Sequence, residues 1–273
     1  MTRRFPNAQL SPPIPGNENL RFLNFRGDAL PSRGDVLLFT PPQFEQLQDL
    51  PLLILLHGVY GCQWNWWLNG AIDRTMAEMI RDGTTFPMMV AMPSDGLWGD
   101  GSGYVPHEHA NYERWIVDDI PSCLRELFPQ LQPGKVLLAG LSMGGFGALR
   151  LGMKYASRVL GISAHSSVTD VTQLSRFIPY RREEFLFAGS EDTSLLHWAA
   201  TNRDLLPPLR FDCGTEDSLI GENRQLHREL TELGIPHTYE EFAGNHDWPY
   251  WTEHVRQTLA FCKAVLTKDV SAG

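Results

Sequence analysis

Positive charge in clusters is nearly absent from this chain. Beyond the pairs Arg3-Arg4 and Arg181-Arg182 there is no basic run, and 23 basic against 32 acidic residues leave a formal net charge of −9. Nucleic acid and anionic membrane surfaces are therefore not expected partners, because both are bound through concentrated Lys and Arg. Cysteine is scarce as well. Cys62, Cys123, Cys213 and Cys262 are widely scattered and make no C-x-x-C pair. That spacing argues against a disulfide frame or a zinc site and predicts reduced thiols in a cytoplasmic protein. No apolar run approaches the length of a membrane span. The start, Met1-Thr-Arg-Arg-Phe-Pro-Asn-Ala-Gln9, has basic residues but no apolar segment of the kind a secretory signal needs. Internal repeats and low-complexity tracts are also missing.

What is present is a chain of 273 residues with 42% hydrophobic content, enough for one large domain with a sizeable core. Residues 1–19 read as an N-terminal arm, irregular through the Pro-rich Ser11–Gly16, and 20–273 as a single domain. Leu20 to Arg26 and Asp35 to Thr40 have the pattern of two opening strands. Pro51-Leu-Leu-Ile-Leu-Leu-His57 is apolar without alternation, as expected of a strand buried on both faces of a parallel sheet. Pro87–Pro93, Lys135–Gly140, Val159–Ala164 and Leu209–Cys213 repeat the signal. Helical patterns alternate with them at Ile72–Arg81, Tyr112–Phe128, Phe146–Tyr155, Asn223–Leu233 and Trp251–Leu266. Strands alternating with helices predict a doubly wound, mostly parallel α/β sheet. The polar stretch 167–202 breaks the rhythm and is expected to be an excursion over the sheet's carboxyl edge.

The chain is organised around Val136-Leu-Leu-Ala-Gly-Leu-Ser142-Met-Gly-Gly-Phe-Gly-Ala-Leu149. An apolar strand runs into Gly-Leu-Ser-Met-Gly and a small-residue helix follows at once. This is the context in which G-x-S-x-G forms a nucleophile elbow. Glycines two residues before and after the serine leave room for a tight turn, since side chains there would collide with neighbouring backbone. A serine hydroxyl is a poor nucleophile and needs a base that is itself oriented by a carboxylate. On such a fold the expected chain order is Ser, Asp or Glu, then His.

Phe211-Asp-Cys-Gly-Thr-Glu-Asp217 and Phe242-Ala-Gly-Asn-His246 both follow predicted strands, at the edge where open α/β sheets place their sites. Among nine histidines, His246 alone combines that position with a Gly-containing loop and a following helix. His107, His109, His197, His227, His237 and His254 are expected to be solvated, and His165 to line the pocket or serve the fold. Four carboxylates compete to orient His246. Asp247 adjoins it, and Asp212 lies within a strand, committed to a sheet face. Glu216 and Asp217 share one loop, and the shorter aspartate has fewer bonds to fix. An acyl-transfer oxyanion is best held by preorganised N–H groups. The amide of Met143 and one from His57-Gly-Val-Tyr-Gly61, with Val59 chosen and Tyr60 behind it, are the expected donors. Trp64, Trp66, Trp67, Trp98, Tyr104, Trp248 and Tyr250 fall near the same edge and suggest an aromatic-walled pocket.

Leu56-His-Gly-Val-Tyr-Gly61, Gly140-Leu-Ser-Met-Gly-Gly-Phe-Gly-Ala-Leu149, Asp212-Cys-Gly-Thr-Glu-Asp217 and Gly244-Asn-His-Asp-Trp248 together resemble the esterase D family of α/β-hydrolases. That family includes S-formylglutathione hydrolases, feruloyl and acetyl esterases, tributyrin-type esterases and mycolyltransferases. The resemblance runs from about Arg21 to Cys262. It implies an α/β-hydrolase fold, Ser142, Asp217 and His246 as a catalytic triad, Val59 and Met143 as the oxyanion pair, and Trp66 at the family's aromatic position. Val59-Tyr-Gly-Cys62 departs from the Thr-Cys-Thr run of the S-formylglutathione hydrolases, which argues against a glutathione thioester.

The expected activity is hydrolysis of small, short-chain acyl esters through an acyl-enzyme, with no metal or organic cofactor. Trp248, Tyr60, Trp66 and His165 are candidate substrate contacts. An acyltransferase or an S-formylglutathione thioesterase using the same triad is the alternative. A small-molecule ester is the expected partner, and a homo-oligomer is compatible with the sequence.

Overall fold

A computed structural model describes residues 4–95, 100–179 and 182–272. Trp98 and Arg181, both singled out in the sequence, lie outside them. The described strands are β1 (Gln9–Leu10), β2 (Leu20–Phe25), β3 (Gly34–Phe39), β4 (Leu52–Leu56), β5 (Met89–Pro93), β6 (Val136–Leu141), β7 (Val159–His165), β8 (Leu209–Gly214) and β9 (Thr238–Phe242). They form one sheet in the order β1-β2-β3-β5-β4-β6-β7-β8-β9. Pairing is antiparallel from β1 to the β3–β5 pair and parallel from β5 through β9. The helices are α1 (Asn65–Leu68), α2 (Ile72–Arg81), α3 (Tyr112–Arg114), α4 (Ile120–Leu127), α5 (Met143–Lys154), α6 (Arg182–Phe185), α7 (Ser190–Thr193), α8 (Leu195–Thr201), α9 (Ile220–Glu232) and α10 (Trp248–Ala272).

The apolar run of β4 explains the layering. Successive side chains of a strand point to opposite faces. Leu52, Ile54 and Leu56 accordingly join one core with Phe146 and Leu149 of α5 and Leu226 and Leu230 of α9. Leu53 and Leu55 join the other with Ile72, Met76 and Met79 of α2 and Val255 and Leu259 of α10. The doubly wound α/β sheet expected from the sequence is present, and both faces are covered. From β4 the chain winds to β5 on one side, whereas β6 lies on β4's other side. The loops after β4 and β6 therefore diverge to opposite faces, which opens a crevice at the carboxyl ends of the central strands.

Several elements differ from expectation. The arm is not wholly irregular: Gln9 and Leu10 pair with Asn24 and Leu23, and Phe5 is buried against Phe25. The helix predicted over 112–128 is interrupted by a π segment, Trp115–Asp119. Pro121, which has no N–H to give, stands at the start of the α-helix that follows. Edge strand β9, Thr-Tyr-Glu-Glu-Phe, is too polar to read as a buried strand from sequence. Its Glu240 and Glu241 pair with Arg210 and Arg224. The excursion at 167–202 is largely helical, with a 3-10 turn at Val171–Arg176 and then α6, α7 and α8.

Candidate active site

Ser142 stands between β6 and α5 with φ 52° and ψ −119°, a backbone conformation costly for a residue with a side chain. The flanking glycines explain how the turn closes. A Cβ on Gly140 would lie 2.3 Å from the Gly144 carbonyl oxygen, and one on Gly144 would lie 2.5 Å from the carbonyl oxygens of Leu56 and His57. The elbow thus packs backbone to backbone on the end of β4. Its amide is fixed from the other side, donating to the His165 carbonyl at 2.9 Å.

The structure brings Ser142, His246 and Asp217 into a hydrogen-bonded row. The Ser142 hydroxyl lies 3.0 Å from His246 Nε2, and His246 Nδ1 lies 2.8 Å from Asp217 Oδ2. The other carboxylate oxygen of Asp217 accepts from the Leu219 amide at 2.8 Å, which locks the side chain at the entry to α9. Burial would raise the Asp217 carboxyl, but the hydrogen bond and charge of His246 outweigh it and hold the group below its ordinary range. The competing carboxylates are engaged elsewhere. Glu216 is exposed and accepts from the Gly244 amide at 2.5 Å. Asp247 accepts from the Tyr250 amide at 3.2 Å. Asp212 is buried on the sheet's α10 face, as its strand position predicts.

The loop after β4 is pinned on both sides of Val59. The Tyr60 amide donates to the Asp100 carbonyl at 2.7 Å, and that of Gly61 to the Gly58 carbonyl at 3.3 Å. Trp66 Nε1 donates to the Leu56 carbonyl at 3.0 Å, and the Tyr104 hydroxyl to the His57 carbonyl at 3.0 Å. Among the described residues the Val59 N–H has no protein acceptor. Met143 opens α5, where N–H groups have no intrahelical partner. Among the described residues neither amide has a protein acceptor; Met143 adjoins the serine in the chain, and Val59 lines the cavity with it.

A cavity of about 320 Å³ opens over this row, lined by Gly58, Val59, Tyr60, Gly61, Asn65, Leu141, Ser142, Phe177, His246, Trp248 and Trp251. Of the four expected substrate contacts, Tyr60 and Trp248 line it. Trp66 does not; it is buried beneath the loop, edge-on to Trp248. His165 does not either, being fully buried and bonded to Asp212 and Thr258. Tyr104 and Tyr250 are core residues, whereas Trp64 and Trp67 face a separate apolar groove against Pro12 and Pro13. His107, expected to be solvated, is buried with its Nε2 2.8 Å from the Ser102 carbonyl.

Two aromatic lining residues lie beyond those the sequence marks. Phe177 stacks on His246 at 5.8 Å between ring centroids, and Trp251 meets the same imidazole edge-on at 5.0 Å. Trp251 could have been found from Trp248, three residues earlier on one helix face. Phe177 arrives from the excursion, and nothing local marks it.

A mostly parallel sheet with helices on both faces, and a strained serine turn at its central crevice, defines the α/β-hydrolase fold. The Esterase family model matches residues 27–262, and the chain belongs to that family. It is a carboxylic ester hydrolase, in line with the resemblance seen in the four sequence blocks. An acetyl esterase of Caldicellulosiruptor saccharolyticus is 29% identical over 238 residues, which cover 80% of this chain and 85% of the relative. An S-formylglutathione hydrolase of Arabidopsis thaliana is 25% identical over 147 residues, 49% of this chain and 51% of that one. Among solved structures, a ferulic acid esterase superposes with a TM-score of 0.79 at 21% identity, covering 94% of this chain and 98% of that chain. The S-formylglutathione hydrolase of Staphylococcus aureus gives 0.75 at 17%, with 93% and 99% covered. Among the described residues no helix is long and apolar enough to cross a membrane.

Proposed function

We propose that this esterase cleaves small, uncharged, short-chain acyl esters through an acyl-enzyme formed on Ser142. The observation that carries the reading is the row Ser142–His246–Asp217, with hydrogen bonds of 3.0 and 2.8 Å, opening onto the 320 Å³ cavity. His246 takes the Ser142 proton as the oxygen attacks the ester carbonyl, while the Val59 and Met143 amides receive the oxyanion. The imidazolium, steadied by the Asp217 carboxylate, returns that proton to the leaving alcohol. Water then repeats the sequence on the acyl-enzyme.

The chemistry of the lining supports an uncharged substrate. Tyr60, Phe177, Trp248, Trp251 and Leu141 supply apolar walls, and no Lys or Arg is among the described lining residues. A glutathione thioester would bring carboxylates that such a wall leaves uncompensated. The volume lies at the small end of ligand pockets and favours acetyl to butyryl groups. Four unpaired cysteines support a reducing compartment such as the cytoplasm.

Intact-mass analysis after treatment with a fluorophosphonate probe tests the nucleophile. One adduct is expected, mapping to Ser142, and Ser142→Ala should lose about 10⁶-fold in kcat. An adduct that persists at another serine in the alanine variant would show the assignment to be wrong.

A further inference from the structure

Beneath the active site lies a second hydroxyl–imidazole–carboxylate row that is sealed from solvent. His165 and Asp212 are register partners at the ends of β7 and β8. His165 Nδ1 approaches Asp212 Oδ2 at 2.8 Å, and His165 Nε2 lies 2.7 Å from the Thr258 hydroxyl of α10. Thr258 is 2.6 Å from the Ser163 hydroxyl, which accepts from Arg210 Nη1 at 3.1 Å. Asp212 also accepts from Arg210 Nη2 at 2.7 Å and from the Tyr250 hydroxyl at 2.8 Å. Every one of these side chains is buried. No ester can reach this row, so its hydroxyl is not a nucleophile.

A buried polar cluster of this kind is seldom the cheapest way to stabilise a core, since well-packed apolar side chains do as well or better. Its connections suggest another purpose. The His165 carbonyl holds the Ser142 amide, and the Asp212 carbonyl holds that of Ser166. Tyr250, anchored by Asp212, packs its ring 2.7 Å from where a Cβ on Gly244 would stand, two residues before His246. The Gly244 carbonyl in turn accepts from the Glu216 amide at 3.0 Å, beside Asp217. All three loops of the reactive row are thus tied to one buried pair.

We propose that the His165–Asp212 pair is a positioning device. Through Tyr250 and the His165 backbone it fixes His246 and Ser142 at reacting distance. The inference rests on Ser142 and His246 acting as proposed above. Misplacement near 1 Å by a remote change costs about 10²-fold in rate, so partial loosening belongs below that figure.

Tyr250→Phe removes one hydroxyl from Asp212 and keeps the ring, and Thr258→Val cuts the opposite end of the chain. Each should lower kcat for p-nitrophenyl acetate by about tenfold with KM within about twofold. The rate of fluorophosphonate labelling should fall in the same proportion, because it reads nucleophile activation without a leaving alcohol. Asp212→Asn, where it folds, should do the same. If Tyr250→Phe and Thr258→Val lower Tm but leave kcat and labelling rate unchanged well below Tm, the network is structural only and the proposal falls. Failure of the underlying reading looks different: the wild type itself would not be labelled at Ser142.

Discussion

Asp217 and Glu216 are neighbours in sequence, yet their surroundings divide their roles. Asp217 is buried between the Leu219 amide and the imidazole, while Glu216 sits in solvent against the Gly244 amide. Asp217→Asn should lower kcat by about 10⁴-fold, because the amide can impose the wrong tautomer on His246 and no longer balances its charge. Glu216→Gln, which keeps an acceptor for Gly244, should stay within roughly tenfold. Steady-state kinetics on variants with native circular dichroism decide this, and the reverse order of effects would move the assignment to Glu216.

Asp212 makes a prediction about acid stability. Burial alone would raise its carboxyl, but His165 and Arg210 outweigh that and hold it at about 2, below the ordinary 3.8. A group depressed in the folded state stabilises it fully above the unfolded value and loses that contribution as pH falls through the folded one. The carboxylate should therefore contribute about 2 kcal/mol, present above pH ~4 and fading toward pH ~2. Urea unfolding across that window should show a shallower pH slope in Asp212→Asn than in the wild type; equal slopes would contradict it.

At the scale of elements, the excursion does more than cross the sheet edge. Its Phe177 ring lies almost parallel to the His246 imidazole, at 12°, and lines the cavity beside it. Phe177→Ala should widen the pocket and shift preference toward longer acyl groups. In a p-nitrophenyl series the wild type should decline from butyryl to decanoyl, with each methylene worth at most about 1–3 kcal/mol. The variant should flatten that decline. A wild-type kcat/KM that keeps rising through decanoyl would place the acyl chain elsewhere.

The whole molecule holds this excursion through a buried ionic cluster. Arg150 of α5, fully buried, bonds Glu113 at 2.6 Å and also meets Asp192 of α7. Lys154 reaches both carboxylates, at 2.8 and 2.5 Å. Removing one partner of such a cluster leaves an uncompensated buried charge. Arg150→Ala should therefore lower the unfolding free energy by about 3–5 kcal/mol, read from a urea midpoint at pH 7. A loss under about 1 kcal/mol would mean the cluster behaves like surface pairs.

Sequence by itself determined the parts whose signal is local. The β4 and β6 runs are apolar on every residue because both faces are covered, and Gly140 and Gly144 declare the turn because backbone packs against them. Ser142, Asp217 and His246 could be picked out as candidates since each follows a strand or strand-like run. Tertiary structure decided what depends on distant partners. Polar β9 becomes a strand because β8 offers its edge and arginines meet its glutamates. His165 and Trp66 look like pocket residues by position, but strand register and loop packing turn both into the core. Phe177 enters the cavity from 35 residues beyond Ser142, through a fold of the chain that no short window of sequence encodes.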